Sequence, residues 1–337
     1  MEKSEHCTAV RRMTALITVT ACLVTGAGSV AQADQDRRSD RGVVFGAYVQ
    51  DFAGGSLVDA QRRFERMIGK KLRATRVYLR WDSSFPNHHV RWLKRGNRTI
   101  VLSVRAMRED GSIVSWRSIA NAAKGSEPYD TIVSWARRIR AFDKHIYLIF
   151  NHEPEAHFND SLGSSSDFID AWRKIVSVFE QEGTSNVSWT WTMTDWAFET
   201  TDERAADNWY PGDDVVDVIG ADAYNFSDCM TAGLPWSSLR SDLVPIRAWA
   251  KAHPGKPIVL PEWGTTSDPQ DVGRKASWIR AARRLLKKPA WRRIKMVLYF
   301  QTIDPSAPGC ELPVTVADGS ARALGAMAAD PYFGARG

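Results

Sequence analysis

From position 43 the chain repeats one theme. Eight apolar runs, rich in β-branched and aromatic residues, fall at 43–50, 74–81, 98–105, 145–153, 186–194, 215–224, 257–264 and 294–302. Runs of this length read as strands buried on both faces, as in a parallel sheet. Most of the gaps carry amphipathic patterns of helical period, at 129–142, 166–182, 237–253 and 271–286. Ser166, followed by acidic and apolar residues, has the character of an N-cap. Pro211-Gly212 and Pro254-Gly255 punctuate the units. Strand alternating with helix means βαβ units. Eight such units predict an α/β fold, a single (β/α)₈ TIM barrel over residues 43–337. A doubly wound open sheet is the alternative, but Gly54-Gly55 after the first run is too short for a phosphate-binding fingerprint.

Two of the runs end on glutamate. One leads into Asn151-His152-Glu153-Pro154-Glu155 and the other into Pro261-Glu262-Trp263-Gly264. The C-terminal ends of barrel strands are where such folds place reacting groups. Two carboxylates on different strands are what retaining glycoside hydrolysis needs, one as acid/base and one as nucleophile. On a strand, Asn151, Glu153 and Glu155 share a face, with His152 on the other face or at the rim. Either Glu153 or Glu155 can then serve as the acid, and Glu153 is preferred. Glu262 is the expected nucleophile. Tyr224, at the end of the sixth run, is placed to hydrogen-bond it, and Arg80 and Arg105 are placed to lower its pKa. A zinc site is not expected. His152 and His157 are five positions apart, and Pro154 disfavours the helix that an H-E-x-x-H motif requires.

Composition sharpens this picture at one point. The chain has 14 tryptophans, and flat rings suit either a large core or the faces of sugars. Trp81, Phe158, Trp196, Trp236 and Trp263 fall at or just past strand ends, where stacking platforms belong. The formal charge of +6 comes from scattered Lys and Arg, with no nucleic-acid footprint.

The N-terminus reads as an export signal. Lys3, Arg11 and Arg12 precede a mostly apolar stretch, and Ala31-Gln32-Ala33 forms an A-x-A cleavage site before a charged segment. Residues 1–33 are thus expected to be removed and 34–42 to be disordered. The mature protein would be secreted, without a membrane segment. Cys229 and Cys310 then remain, an even pair in an exported chain, and a disulfide between them is expected.

His152-Glu153 at the fourth run, Tyr224 at the sixth and Glu262 at the seventh resemble glycoside hydrolase family 26 over about residues 43–303. The resemblance implies a (β/α)₈ retaining endo-β-glycosidase of the mannan-degrading type, with mixed-linkage glucan or xylan as other substrates. It implies Glu153 as acid/base, Glu262 as nucleophile and Tyr224 as its hydrogen-bond partner. His152 is the residue before the acid and Phe158 a sugar-stacking aromatic. Asn151, Trp196, Trp263, Arg80 and Trp81 complete the expected substrate-binding set. No metal or cofactor is expected, the partner is a polysaccharide, and the protein is expected to be a monomer. The chain departs from the family where Ile149-Phe150-Asn151 replaces the usual Arg-Pro before His-Glu, and where Tyr299-Phe300-Gln301 replaces a late Trp in the eighth run. A carbohydrate-binding pseudoenzyme is the rival function. A polysaccharide lyase or transglycosylase is the third, and no calcium loop supports a lyase.

Overall fold

A computed structural model describes residues 42–227, 229, 233–303 and 310–335. The expected signal segment 1–33 and nearly all of the 34–42 tail lie outside the described residues. Eight parallel strands close into a barrel: β1 (Val44–Val49), β2 (Ala74–Arg80), β3 (Thr99–Arg105), β4 (Ile146–Phe150), β5 (Val187–Thr194), β6 (Val218–Asn225), β7 (Ile258–Thr265) and β8 (Ile294–Gln301). β8 pairs with β1 through six consecutive positions, which leaves no free sheet edge. The helices among them are α1 (Leu57–Ile68), α2 (His88–Arg95), α3 (Trp116–Ala120), α4 (Glu127–Phe142), α5 (Ser165–Gln181), α6 (Leu239–Trp249), α7 (Arg274–Leu286) and α8 (Ser320–Ala329).

Two apolar layers result from the alternation of each strand. Val44, Ala74, Val101, Ile149, Val218, Val259, Met296 and Leu298 fill the inside of the barrel. A larger cluster, including Trp81, Trp116, Trp135, Trp172, Trp189 and Trp191, packs between the barrel and the helices. Most of the tryptophans therefore serve this outer layer. Gly46 is required by close packing, since a Cβ there would meet the Ala74 backbone and side chain on the neighbouring strand.

Helix ends follow local chemistry. The cap of α5 lies two residues before the expected Ser166. Its N-cap is Ser164, whose hydroxyl accepts from the Asp167 amide while the Asp167 carboxylate accepts from the Ser164 amide. The reciprocal pair outcompetes Ser166, which has no such partner three positions on.

Two irregularities shape the C-terminal face. β4 ends at Phe150 rather than at 153, because Asn151 and Glu153 take left-handed backbone conformations with φ of 47° and 49°. β7 carries a bulge. Four steps on β7 from Val259 to Trp263 match three on β6 from Gly220 to Ala223, and three from Leu260 to Trp263 match two on β8 from Val297 to Tyr299. The extra residue lies at Pro261-Glu262, and a proline without an N–H is tolerated at such a position.

Candidate active site

The bulge decides where Glu262 points. Val259 faces the barrel interior, so regular alternation would send 261 inward and 262 outward. The extra residue reverses the parity after Leu260, and Glu262 turns into the barrel mouth. There it lies 4 % exposed.

Three donors converge on its carboxylate. Tyr78 Oη donates to Oε1 and Tyr224 Oη to Oε2. Arg76 Nη2 lies 3.2 Å from Oε1. Arg76 also pairs through Nη1 with Asp222 at 3.2 Å and donates to Ser103 Oγ at 3.1 Å. Burial alone would push the guanidinium down, but Tyr78, Asp222 and Glu262 more than offset it and hold it firmly protonated. The interior face of β2 thus presents Arg76, Tyr78 and Arg80 in ascending order, and the lower two serve Glu262.

Glu153 approaches from the turn after β4. Oxygens of Glu153, Asp222 and Glu262 all lie within 4.8 Å of one another. Burial, then the negative charges of Asp222, Glu262 and Glu155, push the Glu153 carboxyl well above the usual carboxylate range, with Arg76 opposing. Asp222 is also pushed up, by burial and then by Glu262. A triad of carboxylates this close is dense enough for a cation, yet Arg76 already supplies a positive charge to two of the three.

The strained turn is pinned on both sides. The Asn151 amide donates to Val104 O of β3 and the Glu153 amide to Thr192 O of β5. Asn151 Oδ1 accepts from the Ala106 amide. Asn159, fully buried, donates from Nδ2 to the carbonyls of His152 and Glu153. Such over-determination keeps two non-glycine residues at positive φ.

Other expected residues distribute as follows. His152 is partly buried between the rings of Tyr78 and Phe158, at centroid distances of 5.4 and 6.2 Å, and burial followed by Arg76 and Arg105 drives its pKa well down. Glu155 stands outside the carboxylate cluster. Its Oε1 accepts from the amide and hydroxyl of Thr194, and burial pushes the group up to about 7. Since β4 ends at Phe150, residues 151, 153 and 155 do not share a strand face as expected. Phe158 and Trp196 lie on the rim, each with a guanidinium over its ring, Arg105 at 5.1 Å and Arg204 at 4.9 Å.

Four expectations need correction. Trp81 is 2 % exposed and packs edge-on against Phe150, and Trp263 is 0 % exposed and stacks on Trp278. Both point outward into the helix layer, so neither offers a face to a ligand. Arg80 and Arg105 do not reach Glu262. Arg80 bonds Arg108 O at 2.8 Å, Arg105 bonds Phe158 O and Asn159 Oδ1, and Arg76 is the arginine that meets the Glu262 carboxylate.

Reasoning from sequence passed over Arg76, Tyr78 and Asp222. A charge in the middle of an otherwise apolar strand was the available signal for Arg76 and Asp222. Tyr48 and Phe300 were also passed over. They stack at 5.3 Å, and Phe300 meets Tyr224 at 5.7 Å.

Comparison with known proteins bears on the fold and the family. The model of glycosyl hydrolase family 26 matches residues 128–234. Over that segment, about a third of the chain, it is similar to glycosyl hydrolase family 26. It is 25 % identical over 254 residues to endoglucanase H of Acetivibrio thermocellus, covering 72 % of this chain and 26 % of that protein. It is 26 % identical over 147 residues to a β-1,3-xylanase of a Vibrio species, covering 43 % of this chain and 28 % of that protein. The chain thus spans about a quarter of the length of the curated relatives it matches. A family 26 β-mannanase from Bacteroides ovatus has the same fold at a TM-score of 0.59 and 18 % identity, over 89 % of this chain and 92 % of that one. A modular endo-β-1,4-mannanase from Cellulomonas fimi does so at 0.62 and 18 %, over 89 % and 73 %.

Proposed function

We propose that this chain is a family 26 retaining endo-β-glycosidase that cuts a β-linked polysaccharide in two displacements. One observation carries the reading: carboxylate oxygens of Glu153 and Glu262 approach within 4.8 Å in one cleft. Retention calls for carboxyl groups about 5–5.5 Å apart, whereas inversion needs about 6.5–9.5 Å to admit a water.

In the first step Glu262 attacks the anomeric carbon while Glu153 gives its proton to the departing glycosidic oxygen. The bond to the leaving sugar breaks and a glycosyl ester on Glu262 forms. In the second step Glu153, now ionised, takes a proton from water. That water attacks the same carbon and frees Glu262 with the starting configuration restored. The raised pKa of Glu153 suits a group that must begin protonated. Tyr78, Tyr224 and Arg76 hold the nucleophile in place and receive the negative charge when the ester breaks.

A mannan-type backbone is the first substrate to test, with mixed-linkage glucan and xylan next. The protein acts as a monomer outside the cytoplasm. The Cys229–Cys310 disulfide supports export, since such bonds persist in oxidising compartments. Among the described residues, no helix is long and apolar enough to cross a membrane.

The test is a polysaccharide panel followed by proton NMR of the first product. The β-anomer should appear first; initial α-anomer would refute retention. Azide should rescue Glu262→Ala through an inverted glycosyl azide, and should give Glu153→Ala a product of retained configuration. Binding of glycans without any cleavage would instead mark a pseudoenzyme.

A further inference from the structure

A cleft of about 290 Å³ opens beside the carboxylate cluster, lined by Tyr78, Arg80, Ser83, Arg105, Glu109 and His152 among others. Arg80 and Arg105 are direct partners across the β2–β3 ladder, so both guanidiniums rise from the same rung on the same face. Like charges directly opposite one another on a sheet repel. Among the described residues, neither charge is well matched. Arg105 donates only to neutral oxygens of Phe158 and Asn159, and its buried Nε has no partner. Arg80 donates to a backbone carbonyl. Its nearest carboxylate, Glu109, lies 3.9 Å from Nε, is largely exposed, and already accepts from Ser83 Oγ.

Neighbouring arginines of the same rim are treated differently. Arg108 meets Glu127 at 2.9 Å, Arg204 meets Asp202 at 2.6 Å and Arg274 meets Asp268 at 2.7 Å. Charge compensation is thus weaker where two arginines face the cleft, with Glu109 at 3.9 Å from Arg80 as the carboxylate beside them. Planar guanidiniums recognise carboxylates through paired, charge-assisted hydrogen bonds. Tyr78 and His152 also line this cleft, and Tyr78 bonds Glu262, so the space adjoins the point of cleavage.

We propose that this cleft is a subsite for an acidic sugar, a uronate whose carboxylate is held between Arg80 and Arg105. The proposal rests on the glycosidase reading above and narrows its substrate to β-glycans that carry uronic acid near the cleaved bond. Burial and then repulsion from Arg80 already lower the Arg105 pKa, a cost that a bound carboxylate relieves. The guanidinium over Phe158 fits the same picture, because it takes up a ring face that a neutral sugar would otherwise use.

The test uses oligosaccharides from glucuronoxylan and glucuronomannan, each in native form and after chemical reduction of the carboxyl to a hydroxymethyl. The reduced twin keeps the backbone and loses only the charge. Cleavage by the unaltered enzyme and calorimetric binding to Glu262→Gln are both measured. For at least one pair, the native form should be favoured by about tenfold or more in both readouts, and high salt should erode the preference. Arg80→Gln and Arg105→Gln should each collapse that ratio, with unchanged circular dichroism. Equal treatment of native and reduced twins, alongside cleavage of neutral glycans, would overturn the subsite and leave the glycosidase reading intact. Binding and cleavage of no glycan, neutral or acidic, would overturn both.

Discussion

The disulfide between Cys229 and Cys310 joins the segment after β6 to the segment after β8 with a Cα separation of 5.3 Å, and closes a loop spanning 81 positions. On the chain-entropy model, a loop of that size removes about 15 cal/mol/K from the unfolded state, about 4.5 kcal/mol at 25 °C. The described span, 42–335, unfolds with an entropy of about 0.6 kcal/mol/K at its midpoint, so the double variant Cys229→Ser/Cys310→Ser should melt about 7 °C lower. Activity below the transition should survive. The loop around Cys310 has other anchors: Tyr299 Oη donates to Leu312 O, and buried Lys275 donates to the carbonyls of Glu311 and Pro313. The loss should therefore appear in stability and not in kcat at 25 °C. Scanning calorimetry with and without reductant, beside the double variant, reads the shift directly. A fall of less than about 2 °C in both would refute the loop-closure account. Titration of two free thiols in unreduced protein would remove the bond itself.

Three further outcomes are expected. Asp222→Asn removes the largest charge acting on Glu153, so the acid should lose its proton at lower pH and the basic limb of kcat/KM should move down; an unmoved limb would dissociate the two groups. His89, 9 % exposed, is held at a pKa of about 4 against an ordinary 6.5 by burial and then Arg98, so the unfolded chain takes up its proton first as pH falls. Stability should accordingly drop by about 3 kcal/mol between pH 6.5 and 4, in urea titrations that His89→Gln flattens. Asn151→Ala puts an alanine at positive φ and leaves the Ala106 amide unpaired, which should cost about 2 kcal/mol or more and lower kcat by loosening the turn that carries Glu153; an unaltered melting curve would count against that turn as a strained support.

The barrel was legible because its strands are buried on both faces, so each reads as a mainly apolar run even where Arg76 or Asp222 interrupts it. Seven of the eight runs end within one residue of the expected C-terminal boundary. The exception is β4, where the sequence continues Asn151-His152-Glu153 without any glycine to announce left-handed backbone. Tertiary bonds from the Asn151 and Glu153 amides to Val104 O and Thr192 O, far away in sequence, impose that geometry. Trp81 and Trp263 failed for a related reason. Position just past a strand's apolar run says nothing about which face a ring takes, and both rings turned to the helix layer.

Glu262 shows most clearly what periodicity cannot carry. Counting inward positions from Val259 places Pro261 in the barrel and Glu262 outside it, where it would serve no chemistry. The glutamate enters the site because β7 holds one residue more than either neighbour between matched positions. That mismatch is a property of three strands together, and its one trace in the run 257–264 is Pro261, which a regular central strand does not accept. The side chains around it follow the regular rule instead: the donors Arg76 and Tyr78 on β2 and Tyr224 on β6, with Asp222, the partner of Arg76, two positions before Tyr224 and inward like it. The site is thus one irregular strand presented to two regular ones. Restoring regularity by deleting Pro261 should turn Glu262 away from Arg76, and so abolish turnover even where the barrel still closes.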